Sequence, residues 1–404
     1  MLMSRVAKSA IRSKDVFGQT AATTSVNIPE YYFEKEKQFG CHNYKPVPVV
    51  LNKGHCHPRI VKALKDQADI LTLTSRAFYN NVLGDYEEYV TGLFKYDKLL
   101  PMNSGVEACE SAVKFARKWA YNVKKVPENK AEIVFARDNF FGRSIAAVSA
   151  STDPESYSGF GPFLPGFTKI PFDDLNALES EFKSNSNIAA FMVEPIQGEA
   201  GVKVPGDGYL KGVRELCTKY NVLFIADEVQ TGLGRTGKML CVDHENVRPD
   251  MVVLGKALSG GVYPVSALLA QDEVMLNIRP GMHGSTFGGN PLACKVAMEA
   301  LKVIVEEKLC ENSAKMGEIL IKRLQKLPSS IVTKVRGKGL FQAIEINESH
   351  VHADKVILAL RDNGLLAKNT HSSIIRFAPP LVINEVQINK AADIIEKTIK
   401  SFIN

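Results

Sequence analysis

The sequence predicts an α/β fold with a mostly parallel sheet that is buried on both faces, together with a smaller α+β domain. Short, almost continuously apolar runs recur, and each is followed by a polar or glycine-rich turn and a helical pattern. Such runs are typical of parallel strands covered by helices on both sides. We assign four runs to strands: residues 133–136, 191–193, 222–226 and 251–254.

The pattern changes after Pro328, where three strand-like runs at residues 331–336, 340–346 and 374–377 alternate with two helical stretches. The whole chain has 404 residues, and a single hydrophobic core stops growing at roughly 250–300 residues. We therefore expect at least two domains. A helix over residues 291–309 is expected to connect them, because Asn290 suits an N-cap and Pro291 a first helical turn.

Composition argues against several classes of protein. Fifty basic and 44 acidic residues give a net charge of only +6 without basic blocks, so nucleic acid is not an expected partner. The longest uncharged stretch, residues 257–271, is shorter than the roughly 20 apolar residues of a membrane span. Seven scattered cysteines suit a reducing compartment. His55-Cys56-His57 lacks a second ligand pair, so no metal site is expected.

The first 28 residues carry four basic side chains, at positions 5, 8, 12 and 14, against a single acid, Asp15. Serine, threonine and alanine are frequent among the others. This composition is typical of a mitochondrial presequence, but it also fits a flexible start of the chain. The residues alone leave both interpretations open.

Ligands of open α/β sheets bind beyond the carboxyl ends of the strands. Asp227 and Glu228 directly follow residues 222–226, and Lys256 follows residues 251–254. Glu194 and Phe140 come shortly after two further runs. Since parallel strands end at the same edge, we expect these side chains to lie close together.

A helix is expected to begin after Ser104, because Ser104 and Glu107 have the spacing of a capping box. It is either a capped helix without a ligand, or one whose first free amides, at Gly105 and Val106, bind phosphate. Gly232–Gly237 matches G-x-G-x-x-G, but a dinucleotide site needs its first glycine at the strand end and a long helix after the last. Neither condition is met, so an NAD-dependent oxidoreductase is a remote alternative.

Lysine and aspartate at neighbouring strand ends suit one particular chemistry. A desolvated lysine forms a Schiff base with a carbonyl, and an aspartate keeps a pyridine nitrogen protonated. With a phosphate site and a stacking aromatic ring, these residues are the set that pyridoxal 5'-phosphate requires. The alternative is a buried ion pair between Lys256 and Asp227.

Residues 224–232 and 250–261 together resemble the signature of the class III aminotransferases of fold type I. Within that class, the chain is most similar to members that use ornithine, on stretches 42–46, 71–80, 151–154, 159–166 and 193–201. The resemblance implies a large domain with a mostly parallel seven-stranded sheet and a smaller domain built from both chain ends. The implied divisions are a flexible or targeting segment (1–28), the large domain (80–310) and two parts of the small domain (29–79 and 311–404).

The resemblance also implies a role for each matching residue. Lys256 would bind the cofactor and carry the proton, and Asp227 would hold the ring nitrogen. The other cofactor contacts would be Phe140 on the ring, Gln230 near its 3-hydroxyl, Gly105 and Val106 on the phosphate, and Ser285 and Thr286 on the phosphate from a second subunit. The substrate would contact Tyr79, Arg143, Glu199 and Arg376.

The implied reaction transfers the δ-amino group of L-ornithine to 2-oxoglutarate in a homo-oligomer of the mitochondrial matrix, with the cytoplasm as the alternative compartment. Glu199 would mask Arg376 while ornithine binds and release it for the α-carboxylate of 2-oxoglutarate. An acetylornithine or other ω-amino acid aminotransferase would share the cofactor residues. A non-catalytic protein on the same fold is a remote alternative.

One departure from the family affects the substrate side. Family members carry a longer segment between the stretches that match residues 47–51 and 54–58, with a strand pair and a substrate-facing tyrosine. Here Leu51-Asn52-Lys53 leads almost directly into Gly54. If this segment is truly deleted, the small domain loses an element and ornithine binding is affected.

Overall fold

The computed structural model describes residues 56–371 and 373–403, together with Glu36, Gln38, Gly40, Cys41 and Asn43. The chain divides into two compact units, residues 1–52 and 53–404, and every element below belongs to the second unit. The predicted targeting segment and the junction near residues 52–54 lie outside the described residues. The predicted domain boundaries stay a prediction.

A seven-stranded sheet forms the centre of this unit, in the order β1-β7-β6-β5-β4-β2-β3. Only β7 runs antiparallel to its neighbours β1 and β6, and the other pairs are parallel. This architecture confirms the predicted fold class. The strands are β1 (Lys98–Met102), β2 (Glu132–Ala136), β3 (Phe167–Ile170), β4 (Ile188–Val193), β5 (Leu223–Asp227), β6 (Met251–Leu254) and β7 (Ser266–Ala270).

Helices cover both faces of this sheet, which explains why its central strands are apolar throughout. Every residue of β4, β5 and β6 is buried. Phe191 and Phe224 point into the core on one face, and their neighbours Met192 and Ile225 into the core on the other. The covering helices are α1 (Pro58–Ala68), α2 (Leu83–Phe94), α3 (Gly105–Trp119), α4 (Ile145–Ala150), α5 (Pro154–Tyr157), α6 (Leu175–Ser184), α7 (Tyr209–Lys219), α8 (Asp272–Met275) and α9 (Pro291–Glu306).

A second, antiparallel sheet has the order β10-β11-β9-β8 and packs with three further helices. Its strands are β8 (Val332–Lys338), β9 (Phe341–Ile346), β10 (Lys368–Thr370) and β11 (Ile374–Phe377), and the helices are α10 (Leu309–Leu324), α11 (Ala353–Asp362) and α12 (Glu385–Lys400). A separate apolar cluster joins Phe341 and Ile374 of this sheet to Ile196 and Val202, which follow β4. The small sheet is thereby placed beside the carboxyl edge of the large one.

The structure differs from the sequence prediction at a few elements. The helix predicted over residues 291–309 ends at Glu306, and a new helix starts after Lys308, which has a left-handed φ of 53°. Strands β3, β7 and β10 were not predicted. Strands β3 and β10 have only four and three residues, and β7 lies inside the uncharged stretch 257–271, which was weighed only as a membrane span. No helix within the described ranges is both long and apolar enough to cross a membrane.

Two mid-helix glycines should respond in opposite ways to alanine. A Cβ on Gly317 of α10 would lie 2.2 Å from the carbonyl oxygen of Gly339 in the β8–β9 turn, whereas no atom lies within 4 Å of a Cβ on Gly92 of α2. Gly317→Ala should lower the free energy of unfolding by about 1–3 kcal/mol because backbone must move. Gly92→Ala should raise it by about 0.5–1 kcal/mol. Urea unfolding of both variants checks this, and equal shifts would contradict it.

Candidate active site

A cavity of about 210 Å³ opens at the carboxyl ends of β2, β4, β5 and β6. It brings together most of the predicted cofactor residues, which are far apart in the sequence. The residues that line it are Gly105, Val106, Cys109, Phe140, Phe141, Gly142, Glu194, Glu199, Asp227, Val229, Gln230 and Lys256.

Asp227 ends β5 with its carboxylate buried at the floor of this cavity. Oδ1 accepts a hydrogen bond from the amide of Val229 at 3.0 Å, and Oδ2 lies 3.5 Å from the thiol of Cys109. Burial raises the pKa of Asp227, while the Val229 amide and the charge of Lys256 oppose that rise. A buried carboxylate with so few donors is stabilised by a cation, so the floor suits a protonated ring nitrogen.

Lys256 lines the same cavity just after β6. It forms no ion pair with Asp227 in the described part of the chain, so the predicted alternative of a buried ion pair is wrong. Its backbone has a left-handed φ of 39°, a conformation that residues other than glycine rarely adopt. Such strain is common at functional positions, and here it directs a free amine into a cavity with buried acids.

Glu194 is a second buried acid at the floor of the cavity, and no role was predicted for it from the sequence. Its two carboxylate oxygens accept hydrogen bonds from the amides of Phe140, at 2.9 Å, and Gly198, at 3.3 Å. Burial and, to a smaller extent, the neighbouring charge of Asp227 raise the pKa of Glu194 well above its ordinary value. Glu228, which follows Asp227, does not line the cavity. Its carboxylate accepts a hydrogen bond from the amide of Val242 at 2.9 Å.

The predicted capping box is present at the start of α3. The Ser104 side chain accepts a hydrogen bond from the amide of Glu107. The Glu107 carboxylate in turn accepts one from the amide of Ser104 at 2.6 Å. Gly105 and Val106 occupy the first helical positions, whose amides have no acceptor within a helix. A Cβ on Gly105 would lie 2.9 Å from Val229, so this approach requires glycine. An anion fits this helix start.

Glu199, Gln230 and Arg376 form a polar cluster at the edge of the cavity. Arg376 Nη1 donates to Glu199 Oε1 at 2.9 Å, and Gln230 Nε2 donates to the same oxygen at 3.0 Å. Although burial by itself raises the pKa of Glu199, the charge of Arg376 and these hydrogen bonds lower it to about 2. Glu199 is therefore ionised at neutral pH, and it masks the guanidinium of Arg376.

The cluster depends on Gly198. A Cβ at this position would lie 1.3 Å from Gln230 Oε1, so a larger residue would displace Gln230. The carbonyl oxygen of Gly198 also accepts from Arg376 Nη1 at 3.3 Å. The absence of a side chain at Gly198 therefore allows Gln230 and Arg376 to contact the loop that follows β4.

The other predicted residues have different positions. Phe140 lines the cavity, and the guanidinium of Arg143 lies 5.4 Å from its ring centre. Tyr79 is fully exposed and does not line the cavity. Ser285 and Thr286 also lie outside it, and Ser285 Oγ accepts a hydrogen bond from Asn103 at 3.0 Å. The chain therefore does not bring these three hydroxyl residues to its own cavity.

Sequence reasoning missed several lining residues: Cys109, Phe141, Gly142 and Val229. Cys109 could have been found, because it follows Gly105 by four residues and shares its helix face. Val229 is two residues beyond Asp227. Gly142, by contrast, carries no local signal, since its need for glycine comes from Val106, whose side chain would lie 2.4 Å from an added Cβ.

A helix start that fits an anion, a buried acid, an aromatic wall and a lysine line one cavity, which is the arrangement typical of pyridoxal-phosphate enzymes of fold type I. The chain belongs to the class-III aminotransferases, whose family model matches residues 48–399. Family membership confirms the predicted cofactor and the predicted enzyme class. It also excludes the oxidoreductase reading of Gly232–Gly237, which is followed by no long helix.

The particular relatives are ornithine aminotransferases. The chain is 63% identical to a probable mitochondrial ornithine aminotransferase of Caenorhabditis elegans, covering 92% of this chain and 93% of that protein. It is 61% identical to the mitochondrial ornithine aminotransferase of Rattus norvegicus, covering 92% and 91%. The crystal structure of ornithine aminotransferase from Toxoplasma gondii matches with a TM-score of 0.91 and 44% identity, covering 93% and 96%.

The Glu199 carboxylate should make stability depend on pH. Its pKa of about 2 lies below the ordinary 4.5, so it stabilises the fold above pH 4.5, and this contribution is lost as the pH falls towards 2. Glu199→Gln should therefore lower the free energy of unfolding by on the order of 1–2 kcal/mol at pH 7, by roughly half as much near pH 3, and by very little at pH 2. Chemical unfolding of both proteins across this range measures the difference, and a constant difference would contradict the assignment.

Proposed function

We propose that this chain transfers the δ-amino group of L-ornithine to 2-oxoglutarate, giving glutamate 5-semialdehyde and glutamate. The observation that carries the proposal is the pair of Glu199 and Arg376, 2.9 Å apart, at the edge of the cavity that holds Lys256. An enzyme that alternates between an ω-amine and an α-keto diacid needs an arginine that can be masked and unmasked. The identities of 63% and 61% with ornithine aminotransferases support the same reaction.

The cofactor would be held by residues of one wall and the floor. Lys256 would bind it covalently and Asp227 would face the ring nitrogen. Phe140 would cover the ring and Gln230 would lie near the 3-hydroxyl, with the amides of Gly105 and Val106 on the phosphate. When bound, pyridoxal phosphate serves as an electron sink for the carbon that loses its proton.

The residues of the chain would do the remaining work. Asp227 Oδ2, the oxygen that the Val229 amide does not occupy, would keep the ring nitrogen protonated. Lys256 Nζ would act as the base that carries the proton, since it lines the cavity beside two buried acids. Glu194 would hold the amides of Phe140 and Gly198 and so keep the aromatic wall fixed.

Masking of Arg376 would decide which amino group reacts. A free guanidinium binds a carboxylate with two parallel hydrogen bonds and would place the α-amine of an amino acid at the reaction centre. With Glu199 on Arg376, the α-carboxylate of ornithine would bind elsewhere, and Arg143 and Tyr79 are the candidates on the substrate side. When Glu199 moves away, Arg376 would bind the α-carboxylate of 2-oxoglutarate. This exchange suits a two-step reaction with one cavity.

A second copy of the chain would complete the site. Ser285 and Thr286 lie outside the cavity of their own chain, and Thr286 is exposed. In the proposed homo-oligomer they would reach the cofactor phosphate of the other subunit. The exposed Phe287 beside them, at 51%, would then be covered.

We also propose the mitochondrial matrix as the compartment. The relatives from Caenorhabditis elegans, Rattus norvegicus and Drosophila melanogaster are named mitochondrial, and the basic composition of residues 1–28 agrees with a targeting segment. The cytoplasm is the alternative.

The visible spectrum of the purified protein tests the reaction. A yellow band that bleaches with L-ornithine and returns with 2-oxoglutarate is expected, and Lys256→Ala should lack the band of the lysine-bound cofactor. N-acetylornithine and 4-aminobutyrate should bleach it at least about tenfold more slowly.

A chain of Elizabethkingia anophelis named acetylornithine aminotransferase is 50% identical, with a TM-score of 0.84. Faster bleaching by N-acetylornithine would therefore replace the proposed substrate.

Removing the mask should change substrate preference. Glu199→Gln loses the charge that competes for Arg376, so the rate of the half-reaction with glutamate should rise relative to that with ornithine by about tenfold or more. Stopped-flow bleaching with each amino acid measures both rates. Glu345→Gln is the matched control, because Glu345 pairs with Arg336 at 2.7 Å on the same small sheet. An unchanged ratio in Glu199→Gln would count against the masking mechanism.

A further inference from the structure

The glycine-rich segment Gly232–Gly237, which resembles a nucleotide loop, lies against the small sheet. It folds back on itself, with the amide of Leu233 donating to Met239 at 2.6 Å and that of Gly234 to Lys238 at 3.1 Å. A Cβ on Gly339 in the β8–β9 turn would lie 2.4 Å from the backbone of Thr236. A Cβ on Gly237 would lie 3.1 Å from Ala314 of α10. The glycines are explained by this close backbone packing.

Arg235 in the middle of this segment donates only to backbone carbonyls. Its Nη1 donates to Leu340 at 3.0 Å and to Pro379 at 2.6 Å. Its own carbonyl oxygen accepts the amide of Leu340 at 3.1 Å and the hydroxyl of Ser313 at 3.0 Å. Within residues 56–371 and 373–403, no acid forms an ion pair with its guanidinium. Burial, with a further effect from Arg376, lowers the pKa of Arg235 to about 10.

These two carbonyls flank the strand that carries Arg376 and the strand that pairs with it. Pro379 lies two residues beyond β11, which contains Arg376, and Leu340 directly precedes β9. Strands β9 and β11 pair with Arg376 opposite Ala343. A single guanidinium nitrogen therefore links the ends of both strands to the loop that follows Asp227 and Gln230.

We propose that Arg235 is a positioning residue that sets the place of Arg376 at the cavity and thereby determines the affinity for the keto diacid. This inference rests on the proposed function, because it assigns Arg376 to the α-carboxylate of 2-oxoglutarate. Ornithine would bind while Glu199 masks Arg376, so its half-reaction depends less on where the guanidinium lies. Loss of Arg235 should therefore affect the two half-reactions unequally.

The test measures the two half-reactions separately in the full-length holoenzyme. Arg235→Lys keeps the charge on a side chain that is one bond shorter, and Arg235→Gln removes the charge. In both variants, the concentration of 2-oxoglutarate that gives half the maximal rate of colour return should rise by about tenfold. The bleaching by ornithine and the position of the cofactor band should change little. Circular dichroism shows whether each variant is folded.

Arg117 provides a matched control. It is also partly buried, and it donates to the carbonyls of Pro165 at 2.9 Å and Gly166 at 3.4 Å, away from the cavity. Arg117→Lys and Arg117→Gln should lower thermal stability without changing the ratio of the two half-reactions. If Arg235→Gln does not fold, Arg235→Lys alone decides the question.

Several outcomes would overturn the inference. Equal slowing of both half-reactions would make Arg235 a residue of general stability, and an effect in Arg235→Gln alone would point to charge and not to position. An unchanged response to 2-oxoglutarate in Arg235→Lys would also overturn it. Failure of the wild-type protein to bleach with ornithine would instead contradict the proposed function, so the two failures can be told apart.

Discussion

The burial of acidic side chains at the carboxyl edge of the large sheet is the constraint on which the site depends. Asp227 and Glu194 lie at the floor of one cavity with few donors around them, and because ionising a buried carboxyl group is costly, the pKa of each is raised. The fold offsets part of this cost through the amides of Val229, Phe140 and Gly198. The remaining cost falls when a cation binds beside Asp227, and a protonated ring nitrogen would supply that cation. The cost of ionising Asp227 in the cavity and the affinity for the cofactor would thus have the same origin.

The polar cluster at the cavity edge follows a different principle. Glu199 and Arg376 are joined in a pair that is still partly exposed, with 28% and 14% of their side chains accessible. A pair of this kind can open at moderate cost, because water and a substrate carboxylate replace the lost partner. On the proposed function the two sheets would have separate roles: the large sheet would fix the reacting groups, and Arg376 on the small sheet would select the substrate.

The sequence predicted the parts of the site that are set by local order along the chain. Asp227 and Lys256 follow directly from strand ends, and the capping box at Ser104 and Glu107 from residue spacing. Glu194 was seen at a strand end, but its role could not be assigned, since its donors Phe140 and Gly198 come from two other segments. Strand β7 is as apolar as the predicted strands, but it runs antiparallel to β6 and follows it without a crossover helix, so it does not fit the pattern of alternating strands and helices. The position of Arg235 depends on contacts more than 100 residues away in the sequence, which no local pattern records.

Gly198 has a consequence for how such an enzyme changes during evolution. A methyl group there would lie 1.3 Å from Gln230 and 3.0 Å from the ring of Phe341, so it would displace Gln230 first. On the proposed function, a mutation at this position would therefore disturb the choice between two amino donors. A single substitution at position 198 could therefore produce a protein that still folds and binds its cofactor but accepts a broader range of amines.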